Sequence, residues 1–443
     1  MTDRAADAAR WRTALASNPN DRIAWHNLAS AQGDLGRAAE AEAAARRAIE
    51  LGIAAPETRL VLARALQAQR RLDEAEKAFD EAISLRPDYL DAQRDLAQLV
   101  WMRTARSDLA LARIDRGLRS APRDAGLYLI RSIVLEIAGD RDAAFAAVVT
   151  GLNAAPRDVP LLLQAAHLCA EMNEAARALQ FARQADKIAP TNIAAGFGLC
   201  EALLAAGELD EADRIAAVLC AAQPRNQYAI ALQATAWRLG GDPRYGELYR
   251  YDTLVEARKL DTPAGWKSLD DFLHELKREL DAMHSYTSHP LQQSVRGGSQ
   301  LPLNAPELEH PLVAALFASI SGAVGRYIAG TGPKGFAISG AWSVRLRSGG
   351  YHTDHVHPEG WISSACYIAL PESVTSGTHF AGWLRFGKPG IATKPALAPD
   401  HYVKPEPGLL VLFPAYMWHG VEPFESPEPR LTVAFDVVPE DPR

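Results

Sequence analysis

The sequence is poor in cysteine, has no long apolar run and carries no excess of positive charge. Its 443 residues include four cysteines with no Cys-x-x-Cys pair, which excludes a zinc finger and argues against a disulfide framework. No stretch approaches the roughly 18 apolar residues of a membrane-spanning helix, and the first residues lack the apolar core of a signal peptide. The formal net charge of −7 gives no electrostatic reason to expect nucleic acid or a membrane surface. We therefore expect a cytoplasmic protein that binds neither.

What the first half does contain is a repeat. A proline recurs every 34 or 35 residues, and an alanine stands twelve positions before each proline. Small residues let two helices of a hairpin approach closely, and proline ends the second helix. The pattern resembles the tetratricopeptide repeat and predicts about six stacked repeats. The prolines are Pro87, Pro122, Pro156, Pro190 and Pro224, and the alanines are Ala75, Ala110, Ala144, Ala178 and Ala212.

Composition and periodicity divide the chain into three predicted parts. Residues 1–240 form the α-solenoid, whose concave surface is expected to bind a protein or peptide. Residues 241–333 are predicted to be a helical connector with support helices at about 263–284 and 305–328, the first capped by Asp261 or Thr262. The polar stretch 289–300, with its glycine pair, is predicted to be a loop. Residues 334–443 form the third part.

The third part has the alternation of β-strands and half of the twelve histidines. Segments such as FAISGAWSVRL, GLLVLFPA and RLTVAFDVV are separated by Gly, Pro and Ser clusters, with no helix-like period between them. Several short strands in succession favour an antiparallel sandwich or barrel.

Two ligand residues spaced by two along a strand, as in His-x-Asp or His-x-His, point to one face and can occupy adjacent positions around a metal ion. Two such pairs stand side by side, His352 with Asp354 and His355 with His357. His419, on a distant strand, could complete a facial set that leaves room for dioxygen and a bidentate ligand. The two pairs lie on opposite strand faces, so without a bulge only one can reach the metal.

Two further residues suit an oxo-acid ligand. Arg430 follows His419 by eleven residues on the next strand, and its guanidinium could hold a carboxylate bidentately. Tyr367 lies on the strand leaving the histidine segment, and its hydroxyl could reach the same carboxylate, although such a tyrosine is more often a core residue.

The segments HPLQQSVRGG, His352 to Tyr367, GLLVLFP with His419, and Arg430 with RLTVAF resemble the 2-oxoglutarate-Fe(II) oxygenases that occur fused to tetratricopeptide repeats. The resemblance implies a double-stranded β-helix (jelly roll), Fe(II), 2-oxoglutarate and dioxygen, with succinate and carbon dioxide as co-products. It favours His355, His357 and His419 as metal ligands over the alternative pair, because close relatives carry His-x-His followed by Pro.

Two functions follow from this reading of the sequence. The first is a dioxygenase that hydroxylates a protein or peptide recruited by the repeats. The alternative is a non-catalytic interaction scaffold whose jelly roll binds a metal or a sugar.

Overall fold

A computed structural model describes residues 4–303, 305–329, 335–377 and 379–440. The chain divides into two compact units, Met1–Pro156 and Arg157–Arg443. No helix in the described ranges is both long enough and apolar enough to cross a bilayer.

The first unit is built from helices that pair as hairpins. The alanines predicted to lie between paired helices, Ala75, Ala110 and Ala144, are fully buried. The helices are α1 (Arg4–Ser17), α2 (Arg22–Asp34), α3 (Ala38–Glu50), α4 (Pro56–Ala68), α5 (Leu72–Leu85), α6 (Leu90–Thr104), α7 (Ser107–Ser120), α8 (Ala125–Ile137) and α9 (Arg141–Ala154).

The second unit begins with further repeat helices and continues into a mixed region. Its helices are α10 (Val159–Glu171), α11 (Ala175–Ile188), α12 (Ile193–Ala206), α13 (Leu209–Ala222), α14 (Gln227–Gly240), α15 (Arg244–Leu248), α16 (Tyr251–Leu254), α17 (Leu269–Met283), α18 (Ala305–Leu308), α19 (Pro311–Tyr327) and α20 (Glu372–Thr375). Its strands are β1 (Glu256–Lys259), β2 (Val295–Pro302), β3 (Phe336–His355), β4 (Ile362–Ala369), β5 (Leu384–Phe386), β6 (His401–Val403), β7 (Leu409–Pro414), β8 (His419–Val421) and β9 (Arg430–Pro439).

Four of the five repeating prolines, all except Pro87, are followed two residues later by a side-chain helix cap. Asp158 accepts a hydrogen bond from the Leu161 amide at the start of α10, and Asn192 accepts from the amides that begin α12. One proline therefore ends a helix while the next polar residue satisfies the free amides of the following one. This local chemistry explains why the hairpins keep one register along the chain.

The strands form one antiparallel sheet in the order β1-β7-β4-β9-β3-β8-β5-β6, with β2 paired to β3. This curled sheet is consistent with the predicted jelly roll, and the predicted succession of repeat solenoid and β domain is confirmed. Helices α17 and α19 cover one face, where Phe272, Leu276 and Ile320 pack against Leu412 and Val433.

The segment between the repeats and the main strands differs from its prediction. It supplies two strands, β1 and β2, in addition to helices, and α17 begins at Leu269 with Ser268 as its cap rather than Asp261 or Thr262. The glycine pair that predicted a loop lies inside β2. A Cβ atom on Gly298 would stand 2.5 Å from the Arg345 carbonyl oxygen, so the glycine serves close strand pairing at a register shift.

The last repeat helices pack on the sheet within the second unit. The indole of Trp418 donates a hydrogen bond to Thr235 of α14 (3.0 Å), and the Lys394 amide donates to the Leu204 carbonyl of α12 (3.2 Å). Arg238 of α14 forms an ion pair with Asp400. By packing, the last repeat helices belong to the same compact unit as the sheet, and the domain boundary at residue 240 stays a prediction.

Candidate metal centre

Three of the predicted ligand residues converge at one end of the sheet. His355 ends β3 and His419 begins β8, and the two residues are direct partners in the strand register. With His357, two residues further on, they each offer one ligand atom, and these atoms lie within 4.8 Å of one another.

Hydrogen bonds orient all three imidazole rings. Nδ1 of His355 lies 2.9 Å from the Thr353 carbonyl oxygen, and Nδ1 of His419 lies 2.9 Å from that of Met417. Nδ1 of His357 lies 2.6 Å from a carboxylate oxygen of Asp436. Because these oxygens only accept, each Nδ1 carries the proton, and the lone pair of each Nε2 is available to a metal ion.

Burial favours the neutral form of two of these rings, those of His355 and His419. Burial, followed by the neighbouring histidines, lowers the pKa of His419 well below its ordinary value. Burial and His357 lower the pKa of His355 to about 3. Metal-binding histidines must be neutral, so these two residues are ready to ligate at physiological pH.

The alternative pair does not join this cluster. Both carboxylate oxygens of Asp354 accept hydrogen bonds from Arg385, at 2.7 and 2.9 Å, and the two side chains are only 6% and 7% exposed. The strand register shifts between His352 and His355, so β3 is irregular where the two pairs adjoin. Asp354 is thus engaged in a buried ion pair, and Arg385 also contacts Glu422 (2.8 Å).

Arg430 and Tyr367 lie together in the interior. They are 1% and 0% exposed, and the guanidinium carbon stands 5.0 Å from the tyrosine ring centre. Burial lowers the pKa of Arg430 and raises that of Tyr367, while each opposes the shift of the other. Nε of Arg430 and the hydroxyl of Tyr367 have no hydrogen-bond partner in the described part of the chain.

No carboxylate among the described residues forms an ion pair with Arg430, and a buried guanidinium without one is costly, so the arrangement fits an anionic ligand. The three imidazoles fit a divalent transition metal such as iron. The residues present are therefore compatible with both groups that the sequence predicted, Fe(II) and 2-oxoglutarate.

Three contributors to this region were not predicted from the sequence. Asp436 holds His357, Arg385 neutralises Asp354, and Ser294 lies 3.3 Å from Nε2 of His355. Asp436 could have been found, because it is the one acidic residue in the apolar strand RLTVAFDVV. Arg385 and Ser294 come from segments whose place in the sheet the pattern did not reveal.

Helical repeats are thus followed by a sheet domain that carries a histidine cluster. Comparison with family models agrees. The model described as "Putative 2OG-Fe(II) oxygenase" matches residues 340–436, a range that contains the three histidines and Arg430 and ends at Asp436. Tetratricopeptide-repeat models match residues 23–51, 56–99 and 170–236.

Solved structures with a similar fold are repeat proteins. YrrB, described as a TPR protein with an unusual peptide-binding site, is 20% identical, and the match covers 42% of this chain and 96% of YrrB, with a TM-score of 0.29. A TPR protein of Thermus thermophilus is 23% identical over 41% of this chain and 99% of its own, with a TM-score of 0.32. PilF of Pseudomonas aeruginosa is 15% identical over 46% and 92%, with a TM-score of 0.35. No curated protein matches the chain.

Proposed function

We propose that this protein is an Fe(II)- and 2-oxoglutarate-dependent dioxygenase that hydroxylates a protein or peptide substrate. One observation carries the proposal: three histidines whose Nδ1 atoms carry the proton, leaving Nε2 for a metal, share a domain with a buried arginine that has no carboxylate partner among the described residues. The first feature suits a metal and the second suits the carboxylate of an oxo acid. The family match over residues 340–436 supports the same combination.

Each residue has a defined task in this proposal. His355, His357 and His419 hold the metal through Nε2, and Asp436 keeps the His357 ring turned toward it. Arg430 pairs with the distal carboxylate of 2-oxoglutarate, and the Tyr367 hydroxyl donates to the same group. When bound, iron with 2-oxoglutarate and dioxygen supplies the oxidation of a carbon–hydrogen bond, with succinate and carbon dioxide released.

Apolar walls would help to exclude water from this chemistry. The Phe413 ring stands edge-on to His419 with ring centres 4.7 Å apart, and Phe386 packs against Phe413 at 4.9 Å. Both phenylalanines are fully buried. A low-polarity surround strengthens the charge interactions of Arg430 and protects the reaction from side processes.

The repeats supply the proposed substrate specificity. Repeat arrays commonly bind peptides or proteins, and one structurally similar protein is described as having a peptide-binding site. We therefore assign the repeats to recruitment of a cytoplasmic polypeptide, which raises its local concentration near the sheet domain.

Anaerobic addition of Fe(II) and 2-oxoglutarate tests the site directly. We expect the weak visible charge-transfer band of the bidentate chelate, lost in His419→Ala and retained in the control His274→Ala, which changes an exposed residue of α17. Arg430→Ala should weaken 2-oxoglutarate binding by about 2–5 kcal/mol, and Arg430→Lys should restore it only in part. A wild-type protein that shows no band and binds no iron would instead support the scaffold function.

A further inference from the structure

Ser294 connects the histidine cluster to a histidine outside it. The serine precedes β2, and its hydroxyl oxygen lies 3.0 Å from Nδ1 of His352 and 3.3 Å from Nε2 of His355. The two rings are nearly parallel, with centres 6.0 Å apart. One hydroxyl proton therefore faces two possible acceptors, of which one belongs to the metal-binding set.

The direction of this hydrogen bond follows from the other bonds of His355. Because Nδ1 of His355 donates to the Thr353 carbonyl, Nε2 of the same ring is unprotonated and carries a lone pair. A metal ion on that lone pair removes it as an acceptor for Ser294. The hydroxyl is then left with Nδ1 of His352, the nearer of the two nitrogens. Donation to this atom places the His352 proton on Nε2.

Nε2 of His352 is free to act as a donor. It forms no hydrogen bond within the described ranges of the chain, unlike Nδ1 of the same ring. The ring lies within electrostatic reach of both His355 and Arg430: burial lowers its pKa, and these two residues lower it further. His352 is thus a neutral imidazole with one N–H, its ring centre lies 6.0 Å from that of His355 in the histidine cluster, and the charge of Arg430 acts on it.

We propose that His352 is an additional binding residue for the oxo acid, whose carboxylate accepts a hydrogen bond from Nε2 of His352. Ser294 is the positioning residue that sets this tautomer when the metal is bound. The inference rests on the proposed function and adds to it a coupling between binding of the metal ion and binding of the oxo acid. Metal occupancy fixes the donor that the oxo acid needs, so the metal should strengthen oxo-acid binding beyond the direct chelation.

Calorimetric titration of the full chain tests this role without catalysis. The protein is loaded with Co(II) under anaerobic conditions and titrated with 2-oxoglutarate. We expect His352→Leu to bind Co(II) with wild-type affinity and to bind 2-oxoglutarate on the order of 10- to 100-fold more weakly, because a hydrogen bond to a charged group is lost. His352→Gln, which retains an N–H donor, should recover most of the affinity. The control is His274→Leu.

Ser294→Ala tests the positioning role with a change of one oxygen atom. We expect unchanged Co(II) affinity and a smaller loss of 2-oxoglutarate affinity than in His352→Leu. Ser294→Ala also keeps the proposal testable if His352→Leu destabilises the fold and lowers the thermal midpoint of the apoprotein. Full 2-oxoglutarate affinity in Ser294→Ala would refute the positioning role of the serine.

Two results would overturn the role of His352. Full 2-oxoglutarate affinity in His352→Leu would show that the residue is not a donor to the ligand, and loss of Co(II) binding would place it among the metal ligands. Failure of the proposed function would look different. In that case the wild-type protein and every variant would bind Co(II) without binding 2-oxoglutarate, and this inference would fall with it.

Discussion

Nδ1 of His357 donates a hydrogen bond of 2.6 Å to Asp436, whose other carboxylate oxygen accepts one of 2.9 Å from Ser363. Asp436 is 8% exposed, so its charge is shielded little by solvent. The three-histidine set contains no anionic ligand, and a carboxylate bound to the far nitrogen makes an imidazole a stronger donor to a metal. In the proposed site, Asp436 would therefore compensate, through its hydrogen bond to His357, for the carboxylate that a facial triad would contain.

Replacing Asp436 by Asn should weaken metal binding by about 10- to 100-fold, since the amide keeps the shape but loses the charge. Ser363→Ala is the matched control on the same contact and should change the affinity less. Competition with a chelator measures both. Equal metal affinity in Asp436→Asn and wild type would contradict the assigned role.

The variants Asp354→Asn and His357→Ala should fail in different ways. Asp354→Asn leaves the buried Arg385 with a weaker partner and should cost about 3 kcal/mol of unfolding free energy, while metal content is retained. His357→Ala should lose metal content. Urea unfolding and metal analysis separate the two effects. If Asp354→Asn loses the metal and His357→Ala keeps it, His352 and Asp354 would be the ligand pair.

Two truncations distinguish the packing boundary from the one predicted by sequence. Residues 157–443 should fold and bind metal, because the cut falls between compact units. Residues 241–443 should be insoluble or unstable, because removal of α14 exposes Trp418 and leaves Asp400 without Arg238. Circular dichroism melts compare them. Equal thermal midpoints would show that the last repeats are dispensable for the sheet domain.

The apoprotein should lose stability as the pH falls below about 6.5, the ordinary pKa of histidine. The folded-state pKa values of His352, His355 and His419 are depressed, that of His355 to about 3. Between about pH 6.5 and pH 3 the unfolded chain binds a proton at His355 that the folded chain does not, so His355 contributes a slope of about 1.4 kcal/mol per pH unit, and the lowered pKa values of His352 and His419 act in the same direction. Urea unfolding at pH 7.5 and 5.5 measures this. His355→Asn should reduce the pH dependence of the unfolding free energy by the contribution of one proton, about 1.4 kcal/mol per pH unit. An unchanged pH dependence would contradict the burial assigned to His355.

The sequence predicted the parts of this protein whose signal is local or periodic. The proline and alanine spacing predicted the repeats, and the spacing of His355 and His357 predicted two neighbouring ligands. His419 was predicted from its place on a later strand. The fold brings all three together, although ligation itself stays a prediction.

The remainder depends on contacts between distant segments. Arg385 contacts Asp354 only because β5 pairs with β8 in the sheet. Each of these strands has three residues, too few for the sequence to predict which strands pair. The glycines at 297 and 298 contributed to the prediction of a loop, but pairing with β3 places them in a strand. The boundary at residue 240 followed composition, whereas packing follows the hydrogen bonds that α12 and α14 make to the sheet domain.

The neighbour of His419 gives the protein an internal optical reporter. Trp418 is nearly buried, its indole is hydrogen-bonded to Thr235, and the Tyr228 ring stands edge-on to it at 5.8 Å. A paramagnetic ion bound by the adjacent histidine would quench this indole, and displacement of α14 would shift its emission wavelength. The fluorescence intensity of Trp418 would therefore report occupancy of the metal centre. Its emission wavelength would report whether α14 is packed on the sheet domain. Comparison with Trp418→Phe would separate this signal from those of the other eight tryptophans.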